Sequence, residues 1–151
     1  MSKIKSVVTG GAGFIGSNLV DRLLIDGHEV VIIDNLDNNE SRQRFESKEF
    51  SNWKNNNPNF VNEDVATMTD FSVLYGAHGI FHLAALPRVQ PSIDNPLKYH
   101  SVNVNGTLNM LVACKAIGIK RFVFSSSSAV YGNVKNLPTN ENSDLKPVSP
   151  Y

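Results

Sequence analysis

One cysteine and one tryptophan in 151 residues, with no excess of either charge, leave several protein classes without support. Cys114 alone cannot close an internal disulfide. That removes the stapled secreted frameworks and points to a reducing compartment, the cytoplasm. Fourteen basic and fourteen acidic side chains cancel, so no net field draws the chain toward nucleic acid or an anionic membrane. No apolar run approaches the roughly 20 residues of a membrane span. Met1-Ser2-Lys3 runs straight into a strand, with no room for a signal peptide. No grouping of His, Cys and Asp has metal-ligand spacing, so no metal is expected. The remaining composition, 41% hydrophobic, fits a single globular domain spanning 1–151 that can bury a core.

The informative residues are concentrated near the amino end. A short strand, Ile4 to Val8, is followed by Thr9-Gly10-Gly11-Ala12-Gly13-Phe14-Ile15-Gly16. An apolar-periodic stretch with Leu19, Val20, Leu23 and Leu24 comes next, and Val30-Val31-Ile32-Ile33 ends in Asp34. Strand, glycine turn, helix, strand and acid is the order that holds a dinucleotide. The glycines permit a tight turn, a close approach to the pyrophosphate and close helix–strand packing, while the helix N-terminus offers N–H groups to the phosphates. Asp34, 18 residues beyond Gly16, is spaced to accept the ribose hydroxyls. Gly11, Gly13 and Gly16 satisfy G-x-G-x-x-G, and Gly10, Gly13 and Gly16 satisfy G-x-x-G-x-x-G. Spacing alone does not choose between them.

Farther along, periodicity predicts a helix from Phe14 to about Asp26, stopped by Gly27, and strands at Glu29 to Asp34, Asn59 to Glu63, Gly79 to His82 and Arg121 to Ser125. Between them fall a short helix, Thr69 to Tyr75, and a longer one that starts at Asp94-Asn95-Pro96 and continues to Gly118, with Cys114 as a small core residue. The polar stretch from Asn35 to Pro58 reads as a solvated surface insertion with at most one short helix. The last 25 residues read as a loop. Alternating strands and helices predict an α/β fold, a doubly wound parallel sheet of the Rossmann type, with ligands outside the carboxyl ends of the strands. His82, in an apolar strand, reads as a satisfied core histidine rather than a catalytic one.

Four further segments follow in order: Phe81-His82-Leu83-Ala84-Ala85, Asn103-Val104-Asn105-Gly106-Thr107, Phe124 to Gly132 with its run Ser125 to Ser128, and Ser149-Pro150-Tyr151. With the glycine turn they resemble the NAD-dependent epimerase/dehydratase family, the extended branch of the short-chain dehydrogenases/reductases, and most of all its UDP-sugar 4-epimerases. The resemblance implies NAD as cofactor, with Phe14 and Ile15 over the pyrophosphate and Asp34 and Asn35 on the adenosine ribose. Asp64 and Val65 would flank the adenine, and Leu83, Ala84, Ala85 and Leu86 would floor the nicotinamide side. Asn103 is either a tie beside the cofactor or only a buried hydrogen-bonding residue. Arg88 either reaches a substrate phosphate or is simply exposed.

Ser127 and Tyr151 would be the catalytic serine and tyrosine, Ser127 also holding the substrate, a nucleotide sugar. In the family the tyrosine removes the 4-hydroxyl proton while hydride passes to nicotinamide, and hydride then returns to the other face of the 4-keto sugar. A free phenol titrates near pH 10, and in the family a lysine four residues farther on favours its ionised form. Related dehydratases place an acid between the catalytic serine or threonine and the tyrosine. Ser128 and Ala129 stand there instead, which favours epimerisation over dehydration. Because the chain ends at Tyr151, the resemblance implies a fold truncated before the C-terminal substrate-binding part. The expectations are weak NAD binding without turnover and self-association as a homodimer or larger. A non-catalytic dinucleotide-binding module and a sugar-nucleotide dehydratase or decarboxylase are the alternatives.

Overall fold

In a computed structural model of the chain, residues 3–37, 42–43, 53, 58–134 and 137–151 are described. Five strands, β1 (Lys5–Thr9), β2 (Glu29–Ile33), β3 (Asn59–Val61), β4 (Gly79–His82) and β5 (Phe122–Phe124), form one parallel sheet in the order β3-β2-β1-β4-β5. The register sets Val7 between Val31 and Ile80. Strands buried on both faces need continuous apolar runs, which is why Val30 to Ile33 carries four consecutive buried aliphatic side chains. Each contributes about 1.5–3 kcal/mol by leaving water.

Alternation along the strands divides the core in two. Val7, Val31, Ile33 and Ile80 pack with Met110, Ala113 and Cys114 of helix α4 (Gly106–Ile117) on one face. Val8, Val30 and Ile32 pack with Val20 and Leu23 of helix α1 (Phe14–Ile25) on the other. Helices therefore cover both faces, the doubly wound arrangement that the element order predicts. The predicted stop at Gly27 holds: Gly27 N–H donates to the Leu24 carbonyl and His28 N–H to that of Leu23, closing α1.

Several expectations need correction. The polar stretch after Asn35 is not wholly solvated, because Trp53 is buried against the α1 face of the sheet and its Nε1–H donates to Asp21 Oδ1 at 2.6 Å. Phe45, Phe50 and most of that insertion lie outside the described residues. The helix expected from Asn95 is preceded by another, α2 (Val89–Asp94), and is itself broken into α3 (Pro96–Tyr99), a π turn (His100–Asn105) and α4. The short helix expected at 69–75 contracts to one 3₁₀ turn, Ser72–Leu74, and a second such turn, Ser128–Tyr131, interrupts the C-terminal loop. Apart from β4, whose bounds are as expected, strand ends differ by one or two residues, and β1 loses Ile4 and gains Thr9.

Candidate active site

Between β1 and β4 the chain's connections run to opposite sides, and an open parallel sheet leaves its ligand crevice at such a reversal, outside the carboxyl ends of the strands. The loops carrying the candidate residues all leave from that end. Two concavities of about 430 and 490 Å³ lie at the opposite end, beside Ile4, His78 and Ile119 and beside Ile25, His28 and Glu29. They hold none of the candidates.

The glycine turn is dictated by lack of space. Gly10 has φ +67°, and a Cβ there would lie 2.7 Å from the backbone nitrogen of Ala84. A Cβ at Gly16 would collide with the Gly10 carbonyl oxygen. Gly10 and Gly16 thus have no room for a side chain, Gly13 is the N-cap of α1, and Gly11 is also crowded by an Ile32 methyl group. The turn lets α1 sit directly on the sheet and leaves its N-terminus open: the first turn carries no acid and no capping side chain, while Phe14 and Ile15 are 69% and 64% exposed. The positive end of a helix dipole attracts anions.

Asp34, just past β2, is buried. Its Oδ2 accepts from Ala12 N–H and its Oδ1 from Leu36 N–H, both at 2.9 Å. Burial pushes this carboxyl above its ordinary range, opposed by the two N–H groups. A carboxylate has about four acceptor positions, so two remain for hydroxyl donors. Asn35 Nδ2–H donates to Asp64 Oδ2 at 3.2 Å, bringing together the candidates that follow β2 and β3. Asp64 Oδ1 accepts from Ala66 N–H, while Asn109 of α4 donates to the Val65 and Met68 carbonyls and holds that turn down.

The segment Leu83 to Leu86 is held at both ends. Thr9 Oγ1 accepts from Leu83 and Ala84 N–H, each at 3.2 Å. Asn103 answers Leu86 twice, its Oδ1 accepting from Leu86 N–H at 2.8 Å and its Nδ2–H donating to the Leu86 carbonyl at 3.1 Å. Asn103 is therefore a tie between helix and loop. His82 is buried with both ring nitrogens bonded, Nδ1 to Thr9 Oγ1 at 2.8 Å and Nε2 to Thr107 Oγ1 at 3.0 Å. Burial pushes its pKa down to about 4, as a core histidine requires.

Arg88 is exposed and has a backbone conformation of φ 85° and ψ 137°, costly for any residue but glycine. Its neighbours hold it there: Tyr99 Oη donates to the Pro87 carbonyl at 2.6 Å, and Ser92 Oγ to that of Val89 at 2.5 Å. Ser92 Oγ also accepts from Tyr151 N–H at 3.1 Å, and the Tyr151 ring meets Tyr99 edge-on at 6.4 Å. Ser127 caps the turn after β5, its hydroxyl accepting from Ala129 N–H at 3.2 Å. No hydrogen bond joins Ser127 to Tyr151 among the described residues. Thr9, Ser92, Tyr99, Thr107 and Asn109 were absent from the sequence-derived set. Only the position of Thr9 before the glycines and of Thr107 beside Gly106 hinted at them.

Fold and site together define a dinucleotide-binding α/β domain. Residues 7–151 match the family described as GDP-mannose 4,6 dehydratase. A UDP-glucose 4-epimerase from Klebsiella pneumoniae is 39% identical over 143 residues, covering 89% of this chain and 97% of that sequence. A UDP-N-acetylglucosamine 4-epimerase from Methanobrevibacter ruminantium M1, solved in complex with UDP-N-acetylmuramic acid, superposes with a TM-score of 0.82 at 41% identity, covering 100% of this chain and 46% of that one. The UDP-glucose-4-epimerase of Stenotrophomonas maltophila, solved with bound NAD and formylated UDP-arabinopyranose, gives 0.85 at 32% identity and covers 98% and 44%. The chain belongs to the NAD-dependent epimerase/dehydratase family. It spans about half the length of these two solved relatives. Among the described residues no helix is long and apolar enough to cross a membrane.

Proposed function

We propose that the chain carries the NAD-binding half of a sugar-nucleotide 4-epimerase of the UDP-glucose/galactose or N-acetylhexosamine type. The observation that carries this reading is the grip of Asp34 on the glycine turn: a buried carboxylate that accepts from Ala12 N–H, beside a turn too tight for any Cβ at Gly10. Bound NAD would supply a reversible hydride acceptor. Asp34 and Asn35 would take the ribose hydroxyls, the open α1 N-terminus beneath Phe14 and Ile15 the pyrophosphate, and Asp64 with Val65 the adenine. Leu83, Ala84, Ala85 and Leu86, with Asn103 holding the last of them, would form the floor beneath the nicotinamide. Tyr151 would take the proton of the sugar's 4-hydroxyl and Ser127 would hold that oxygen, while Arg88 would meet the substrate diphosphate.

A dehydratase is the second reading, favoured by the family description. Against it, Ser128 and Ala129 begin the turn after Ser127, and neither offers the acid that would protonate a leaving hydroxyl. Val104, Leu108, Leu111 and Val112 of the π turn and α4, with Val123 and Phe124 of β5, are exposed, and apolar surface of this extent supports self-association. Calorimetric titration with NAD and NADP tests the cofactor, and NADP binding more tightly overturns that part. Mass spectrometry of the sugar nucleotide after reaction with the gene's whole product tests the chemistry. A product of unchanged mass fits the epimerase, and one lighter by a water molecule overturns it.

A further inference from the structure

The hydrogen bonds around His82 admit one placement of protons. Thr9 Oγ1 lies within bonding distance of Leu83 N–H, Ala84 N–H and His82 Nδ1. Ala84 N–H can only donate, and Leu83 N–H divides itself between this oxygen and the Thr9 carbonyl at 3.1 Å, which leaves the single hydroxyl proton available to Nδ1. The ring proton is then on Nε2 and is donated to Thr107 Oγ1. Thr107 in turn donates to the Asn103 carbonyl at 2.7 Å. Read from the other end, that donation leaves Thr107 with lone pairs only for His82, which requires the same tautomer.

These bonds close a ring around one segment. Thr9 holds Leu83 and Ala84, His82 passes the connection to Thr107, Thr107 reaches Asn103, and Asn103 holds Leu86 at both its N–H and its carbonyl. The ring runs through the π turn, a distortion that marks functional segments in helices. We propose that neutral His82, as the Nε2–H tautomer, is a positioning residue that sets the Leu83–Leu86 backbone through Thr9 on one side and Thr107–Asn103 on the other. The proposal rests on the reading of that segment as the floor under the nicotinamide. Burial holds the imidazole neutral, since its pKa is about 4. A buried imidazole needs a partner at each ring nitrogen; here both partners also reach the Leu83–Leu86 segment, Thr9 directly and Thr107 through Asn103.

Long-range proton–nitrogen NMR of the 151-residue chain reads the tautomer directly. A bare Nδ1 and protonated Nε2 on His82 is expected, and the opposite assignment overturns the proposal. Thr107→Val keeps the shape but removes both bonds, whereas Thr107→Ser keeps the hydroxyl. NAD affinity is expected to fall roughly three- to tenfold in Thr107→Val, the worth of about one hydrogen bond. ADP, which lacks the nicotinamide, binds about as before, and Thr107→Ser restores NAD binding. Equal loss of NAD and ADP, or unchanged NAD affinity in folded Thr107→Val, refutes the positioning role. Should the unaltered chain bind neither ligand, the cofactor reading falls by itself. The proposal is then judged by hydrogen exchange at Leu86 N–H, which must quicken in Thr107→Val. If that variant does not fold, the tautomer decides.

Discussion

His82 makes the stability of this chain sensitive to acid in a definite window. An unfolded imidazole titrates near 6.5, while the buried ring titrates at about 4. Between those values the unfolded chain binds the extra proton, so stability falls as pH drops through the window and is fully present above it. At about 1.4 kcal/mol per pH unit of separation, the loss on going from neutral pH to about pH 4 comes to about 3 kcal/mol. That is a large part of the roughly 5–15 kcal/mol of a typical domain. Asp34 acts in the opposite sense: burial raises its folded pKa, so the folded state gains protons as the unfolded carboxyl lags, and the net curve is shallower. The comparison with His82→Gln isolates the imidazole, because glutamine hydrogen-bonds without titrating. Urea unfolding followed by Trp53, the single tryptophan and a buried one, supplies the free energies. The two proteins should converge by about 3 kcal/mol as the pH falls. Parallel curves would show that the ring does not titrate as a buried neutral group.

Replacing Gly10 by alanine places a Cβ 2.7 Å from Ala84 nitrogen at a φ of +67°. It should cost about 2 kcal/mol or more and abolish NAD binding; a variant with the parent's melting temperature contradicts this. Asp34→Asn keeps the shape but removes the charge that would hold ribose hydroxyls and repel a 2′-phosphate. Calorimetry should find NAD weaker by roughly tenfold and the gap to NADP narrowed, and an unchanged ratio counts against the acid's role. Trp53→Phe removes the donor to Asp21 at a partly buried site and should lower stability by about 1 kcal/mol in chemical denaturation read by circular dichroism. No change would mean that the insertion does not anchor to α1.

The sheet was legible because each strand is a local pattern. Val30 to Ile33 is a run that only a doubly covered strand carries, and Gly79 to His82 was bounded correctly by its flanking turn residues. What escaped were elements whose cause lies elsewhere in the fold. Helix α2 is six residues long with Pro91 at its third position, too short and too marked by a breaker for periodicity to show. The π turn gives no signal, since its residues, His100 to Asn105, continue a helical pattern without a gap. Its side chain Asn103 answers Leu86, 17 residues away. Trp53 sits in a polar stretch that reads as solvated until the face of β1 and β2 is seen to need a cover.

The candidate site divides along the same line. Gly10, Gly16 and Asp34 announce themselves because a turn without room for Cβ and an acid at a strand end are written in consecutive residues. The residues that hold those groups in place are not. Thr9 meets His82 across 73 positions, and His82 meets Thr107 across 25. A threonine or a histidine taken alone is equally at home on a surface or in a core. Their roles follow from counting donors against acceptors along Thr9, His82 and Thr107, where Thr107 gives its proton to the Asn103 carbonyl and so accepts from the imidazole, which in turn accepts from Thr9. That count exists only once the parallel register of β1 and β4 sets Thr9 opposite His82. Motifs thus mark where a ligand can bind. The hydrogen-bond ring behind them determines how rigidly the binding surface is held, and it can be read only from the folded chain.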